Sequence, residues 1–212
     1  MDDVLQLGPE EVPHGRVFTH PDRTRGDWGA LRTMARALRD SLGRVESGSA
    51  RPLTLELGQP GGPGHRVIVC DGARLRGTST PSLVGFFAER RPGLDHTPLT
   101  RTDDALIEEF PAHPGILAYC SLELPDGNWG NLVVLTGPEA REHWRSSPTH
   151  AFAAGELAPR HYAAVRLHLG RFPGGLLAGA DPVLDETRYY DFRDPTPWRA
   201  TRRLEGYDPR QP

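Results

Sequence analysis

Between residues 27 and 42 the apolar residues Trp28, Leu31, Met34, Ala35, Leu38 and Leu42 recur at three- and four-residue spacing with arginines between them. That period predicts one amphipathic helix, and Gly43 predicts its end. The polar, proline-containing residues before it predict a loose arm. Residues 53–57 and 66–70 form two short strand-like runs, joined by a Gly/Pro-rich link at 59–64 that predicts a hairpin loop. No lysine follows this link and its two prolines lack N–H donors, which excludes a phosphate-binding loop. Residues 73–77 predict a third short strand or a turn.

From residue 81 the pattern becomes more regular. Residues 82–88 predict a buried strand, with Gly85 marking a bulge or the close approach of another group. Thr102, followed by Asp103 and Asp104, predicts the N-cap of a helix running through Leu106, Ile107 and Phe110, and Pro111 and Pro114 end it. Residues 116–124 and 132–135 predict a hairpin around the turn 126–130. Thr136 and Glu139 form a capping-box pattern around Pro138, opening a helix with Ala140, Trp144 and Ser147 on related turns. Pro148 and Pro159 break the helical region into two or three short helices reaching Gly170. A Gly/Pro-rich crossing at 171–182 then leads to a final strand at 187–192 and an exposed tail.

The order from residue 82 is strand, helix, strand, strand, helix, strand. This predicts an α+β fold built on a ferredoxin-like βαββαβ unit with an antiparallel sheet over residues 81–195. Residues 1–80, with one helix and short strands, pack on that core as a candidate abbreviated second repeat, and 196–212 form the tail. Both helices of such a unit lie on one sheet face, so the other face needs a partner. That partner is either the equivalent sheet of a second chain, in a homodimer, or the first eighty residues of the same chain.

Composition narrows the chemistry. The 212 residues carry a formal charge of −3, and all 25 basic residues other than histidine are arginine. The lack of lysine excludes Schiff-base chemistry, pyridoxal-phosphate attachment and a P-loop amine. Acidic and basic residues are mixed, so there is no stripe for a nucleic-acid backbone. Only two cysteines, no signal-like start and no apolar stretch of about 20 residues point to a cytoplasmic chain with free thiols and no membrane partner. No His pair has three- or four-residue spacing and there is no Cys-x-x-Cys, so protein-bound zinc is not expected. On a continuous helix His161 and His168 would be about 10 Å apart. The acid pairs Asp103-Asp104 and Glu108-Glu109 fall at a helix start or on a solvated side, a poor setting for acid–base work. The only asparagines are Asn128 and Asn131. The turn explains Asn128; Asn131 begins a strand and stands as a candidate polar group.

The segments 110–119, 131–135 and 139–150 resemble the dimeric α/β-barrel superfamily, in particular its antibiotic-biosynthesis-monooxygenase-like and haem-associated branches, over residues 82–193. The resemblance implies a ligand held between sheet and helices, with barrel closure by a second subunit. Haem-binding members use a histidine from the second helix region, and His150 is its counterpart here. Trp144 and Asn131 are the available counterparts of the helix tryptophan and strand asparagine near the ligand in haem-degrading members, although the asparagine here falls on the third strand of the unit rather than the first. Outside the resemblance, His168 is a second candidate iron ligand, Arg166 could pair with a propionate or an acidic substrate, and Tyr119, Phe86 and Phe87 could line an apolar cavity. The expectation is a small-molecule enzyme, oxidoreductase or dehydratase-like lyase, with haem as its cofactor or none. A non-catalytic ligand-binding or stress-response protein and a cofactor-free monooxygenase using Asn131 stand beside it.

Overall fold

The computed structural model describes residues 4–44, 52–58 and 63–204. Its strands are β1 (Leu5–Gln6), β2 (Leu53–Glu56), β3 (His65–Val69), β4 (Ser82–Arg90), β5 (Ile116–Glu123), β6 (Trp129–Leu135), β7 (Tyr162–Arg171), β8 (Val183–Asp191) and β9 (Trp198–Arg203). They form one mixed sheet in the order β1-β9-β8-β7-β4-β6-β5-β3-β2. Every neighbouring pair is antiparallel except β1 with β9. The class is therefore α+β, as the element pattern predicts. The sheet runs without a break across residues 80 and 195, where the sequence suggested boundaries. The tip of the β2–β3 hairpin, including residues 59–62 of the expected loop, lies outside the described residues, as do 205–212 of the expected tail.

One sheet face is covered by α1 (Pro21–Leu42). The helix begins before the apolar period because Pro21 suits a first turn and the His20 ring accepts the Asp22 N–H at 3.2 Å. Its stripe Trp28, Leu31, Met34, Leu38 and Leu42 is buried against Val67, Val69, Leu83, Phe87, Cys120, Leu132 and Val134. Each large apolar side chain so buried contributes about 1.5–3 kcal/mol. Gly85 marks the close approach its position suggests: a Cβ there would lie 3.0 Å from Leu31 Cδ2. The crossing between β7 and β8 is tied to the same helix, since Trp28 Nε1 donates to Pro182 O at 2.9 Å and Arg39 Nε to Leu176 O at 2.8 Å. The face that the sequence left in need of a partner is thus covered from within the chain.

The other face carries α3 (Thr97–Glu109), α4 (Pro138–Arg145), α5 (Pro148–Phe152), a π-helical turn Ala153–Leu157 and α6 (Ala158–His161).

Several local expectations change. Residues 73–77 belong to a helix, α2 (Gly72–Gly77), because the Asp71 carboxylate caps it by accepting the Arg74 N–H at 2.9 Å. Pro98 sits in the first turn of α3, which places Thr102 and Asp103 inside the helix rather than at its start. Gly137 is the N-cap of α4 and no side chain caps it, so the Thr136–Glu139 box is not formed. The helical region ends at His161, and 162–171, read as helix, is the long strand β7. The expected final strand 187–192 largely coincides with β8, one strand beyond β7, and part of the expected tail is β9. The N-terminal arm is pinned, not loose. Arg202, 1 % exposed, donates to Gly8 O at 3.0 Å and Thr19 O at 2.7 Å and also reaches Glu11 O.

Candidate functional site

Because side chains alternate along a strand, the register assigns each β7 residue to a face. His168 pairs with Gly85 and Arg166 with Phe87, both on the α1 side. There Asp27, on α1, accepts from Arg166 Nε at 2.6 Å, Arg166 Nη2 at 3.0 Å and His168 Nε2 at 2.9 Å. His168 Nδ1 meets Thr187 Oγ1 at 2.8 Å. His168 and Thr187 are 0 % exposed and the other two are 6 % exposed. Burial pushes the Asp27 carboxyl up, but the His168 and Arg166 hydrogen bonds and their charge outweigh it, and the net shift is downward. Both ring nitrogens of His168 are engaged and Arg166 is paired, so neither is available to a cofactor. Phe87 faces the same way, its ring 5.5 Å from His168. These three sequence candidates do not belong to the cavity.

The remaining candidates come together on the opposite face. Between the sheet and α3 to α6 lies a cavity of about 640 Å³ whose lining includes Phe86, Tyr119, Asn131, Trp144 and His150. Its floor is the inward-pointing set Val84 and Phe86 of β4, Tyr119 of β5, Asn131 and Val133 of β6, and Val165, Leu167 and Leu169 of β7. One wall is a run of ring contacts, Tyr119 to Phe110 at 5.6 Å, Phe110 to Trp144 at 6.3 Å and Trp144 to His150 at 4.7 Å. The π-helical turn forms another part of the wall with the small residues Ala153, Ala154 and Gly155. Single π turns of this kind cluster at functional sites.

At the α5 end, Ser147 caps the helix by accepting the His150 N–H at 3.0 Å, which fixes the histidine above Trp144. Burial pushes the His150 imidazole below its ordinary value, and Arg145 and His113 add to the effect, so it is neutral at pH 7. Trp144 Nε1 is buried and has no hydrogen-bond partner among the described residues. A buried orphan donor costs about 1–3 kcal/mol, a cost that an acceptor on a ligand would remove.

Arginines gather at the rim, with Arg141, Arg145, Arg188 and Arg199 in the lining. Arg141 Nε lies 3.0 Å and Arg145 Nη1 3.3 Å from Glu142, and Arg188 pairs with Glu186. Arg141 and Arg188 also line a second groove of about 460 Å³ beside the cavity, together with Val84 and Leu169.

At the α3 end, Tyr119 Oη donates to Asp103 Oδ1 at 2.8 Å. The other carboxylate oxygen is 4.0 Å from Arg66, whose guanidinium is engaged with Glu56 at 2.8 Å and Asp104 at 3.3 Å. Burial raises the Asp103 carboxyl, against the opposing effects of Tyr119 and Arg66. Asp103 is among the residues lining the cavity, and 37 % of its side chain is accessible.

Asp103 is the residue that sequence reasoning missed. The signal was present: Leu99, Asp103, Leu106 and Phe110 share one helical stripe once α3 is started at Pro98 instead of Thr102, and all four line the cavity.

No family model, curated protein or solved structure matches this chain. Function therefore rests on the geometry of the cavity and its chemistry. Among the described residues no group of three or more His, Cys, Asp or Glu side chains is placed to hold a metal ion. No described helix is long and apolar enough to cross a membrane.

Proposed function

We propose that the cavity is the ligand site of a small-molecule enzyme and takes a flat molecule with an apolar body and an anionic group. The observation that carries this is the combination of a ligand-sized apolar chamber with a single neutral histidine, His150, on its wall and arginines at its mouth. Its volume falls within the roughly 300–1,000 Å³ typical of small-molecule sites. The aromatic wall suits a planar body, and Arg141, Arg145 and Arg188 suit a carboxylate.

Haem is the largest member of this class that the residues fit. A neutral imidazole is an axial ligand for haem iron, Trp144 Nε1 lacks a partner, and the arginines could receive propionates. Bound haem would supply redox or Lewis-acid chemistry at iron. The protein's own contribution would be to orient the ring between the sheet and the helices and to keep water away from its apolar edge.

The connectivity of β4 to β7, with spatial order β7-β4-β6-β5 and all pairs antiparallel, supports a ferredoxin-like unit at the heart of the larger sheet. A ligand between sheet and helices agrees with the use the dimeric α/β-barrel superfamily makes of that space. Coverage of the opposite face by α1 supports a self-contained version of that arrangement, without a second chain closing a barrel.

The test is a haem titration followed by absorbance, on the wild type and on His150→Ala. Saturable binding with a shifted Soret band that is lost in His150→Ala is the expected result. Absence of saturable binding would remove haem. A smaller aromatic acid would then be the ligand to titrate, by quenching of Trp144 with Trp144→Phe as the control.

A further inference from the structure

The α3 end of the cavity holds a group that neither ligand retention nor an axial histidine uses. Asp103 Oδ1 accepts the Tyr119 hydroxyl at 2.8 Å, while its other oxygen makes only a long ion pair with Arg66 at 4.0 Å. The floor below is apolar, with Val133 and Phe86, and Asn131 places an amide on the same face. Tyr119 itself is 4 % exposed. A carboxylate in the lining of a ligand-sized, largely apolar chamber, held through one oxygen by a buried phenol, is the arrangement a proton-transfer group needs.

We propose that Asp103 is the general base of a proton shift on a small aromatic 2-keto acid bound in this cavity, with Tyr119 as its positioning residue. The proposal rests on the ligand reading above and narrows it. The aromatic wall Tyr119, Phe110 and Trp144 receives the ring, and Arg141 or Arg188 at the rim receives the carboxylate. The carbon between ring and keto group then lies over the floor. The Asp103 carboxylate takes a proton from that carbon. The C–H pair becomes a C=C bond as the carbonyl pair moves to oxygen. The protonated carboxyl then returns the proton to the enolate oxygen. Keto acid and enol are isomers, so no oxidant, reductant or second substrate is consumed. Burial makes Asp103 a stronger base than a free carboxylate, in the direction that proton transfer near neutral pH requires.

Phenylpyruvate is the probe. Its benzylic hydrogens are followed by NMR as they exchange in D2O, its enol is followed by absorbance, and binding is followed by Trp144 quenching, all above the uncatalysed background. The expected result is saturable acceleration by the wild type. Asp103→Asn, checked for folding by circular dichroism, should lose about 100-fold or more in kcat with little change in KM or in quenching. Tyr119→Phe should lower kcat by a smaller factor and leave quenching intact. If the wild type is quenched but accelerates nothing, or Asp103→Asn exchanges as fast as the wild type, the base role is overturned and the ligand reading stands. If phenylpyruvate causes no saturable quenching, the ligand reading and the base role fail together.

Discussion

Replacing Asp27 with alanine removes the acceptor of three hydrogen bonds at once, two from Arg166 and one from His168. A carboxylate only accepts, so His168 Nε2 must be the donor in its bond. The substitution would leave an imidazole N–H at 0 % exposure without its acceptor, and the Arg166 guanidinium, at 6 % exposure, with only Glu89 at 3.4 Å. Breaking a buried pair by removing one member costs about 3–5 kcal/mol. For a chain of this length each kcal/mol corresponds to a shift of roughly 2–4 °C, so the melting temperature should fall by about 6–20 °C. Differential scanning calorimetry measures this directly, with urea unfolding as a check on two-state behaviour. The same argument predicts a partial rescue. Asp27→Leu combined with Arg166→Met, His168→Leu and Thr187→Val replaces the buried polar cluster, and such replacements often cost little. A fall of less than about 2 °C for Asp27→Ala, or a combined variant no better than the single one, would refute the reasoning and show that the cluster is solvated or rearranges freely.

Other outcomes rest on the same structure. The folded Asp27 carboxyl lies below its ordinary value, so its stabilisation is fully present above the ordinary carboxylate range and is lost as pH falls through the folded value. The stability gap between wild type and Asp27→Ala should therefore narrow in acid, and a gap independent of pH down to about 2 would contradict this. His150 is also lowered, so its share of stability is complete above the ordinary imidazole value and declines as pH falls through the folded one. Unfolding curves of His150→Phe between pH 7 and 5 should be flatter than those of the wild type. Gly130→Ala should destabilise by about 1–3 kcal/mol, because its Cβ would come within 2.5 Å of Phe87 Cε1 inside the core. Cys70, pushed up to about 12 by burial and Asp71, and the fully buried Cys120 should not react with Ellman's reagent until the protein unfolds.

The elements with one apolar side were legible in the sequence, and those whose buried side is polar were not. The α1 stripe and the β5–β6 hairpin could be read because their buried residues are apolar at the helical and strand periods. The strand β7 could not. Val165, Leu167 and Leu169 alternate with Arg166 and His168, and the polar members are satisfied by Asp27 and Thr187 from distant parts of the chain. Nothing local distinguishes such a residue from a solvated one, and Pro159 just upstream suggested another broken helix. The structure brings His150, Trp144, Asn131, Tyr119 and Phe86 into one cavity lining, while His168, Arg166 and Phe87, proposed alongside them, lie on the other face of the sheet. Asp103 was lost with the helix start: placing the N-cap of α3 at Thr102 instead of His96, six residues late, moved it from a lining position to a solvated first turn. Arg188 and Arg199, on β8 and β9, join the rim through strand pairings that no local pattern announces.

The placement of α1 couples the cavity floor to the far side of the sheet. The helix packs on Leu83, Phe87, Cys120, Leu132 and Val134, while Val84, Phe86, Tyr119, Asn131 and Val133 on the same strands face the cavity. A ligand that steadies those strands should therefore also slow amide exchange in α1, so that binding is read out from residues that never touch the ligand.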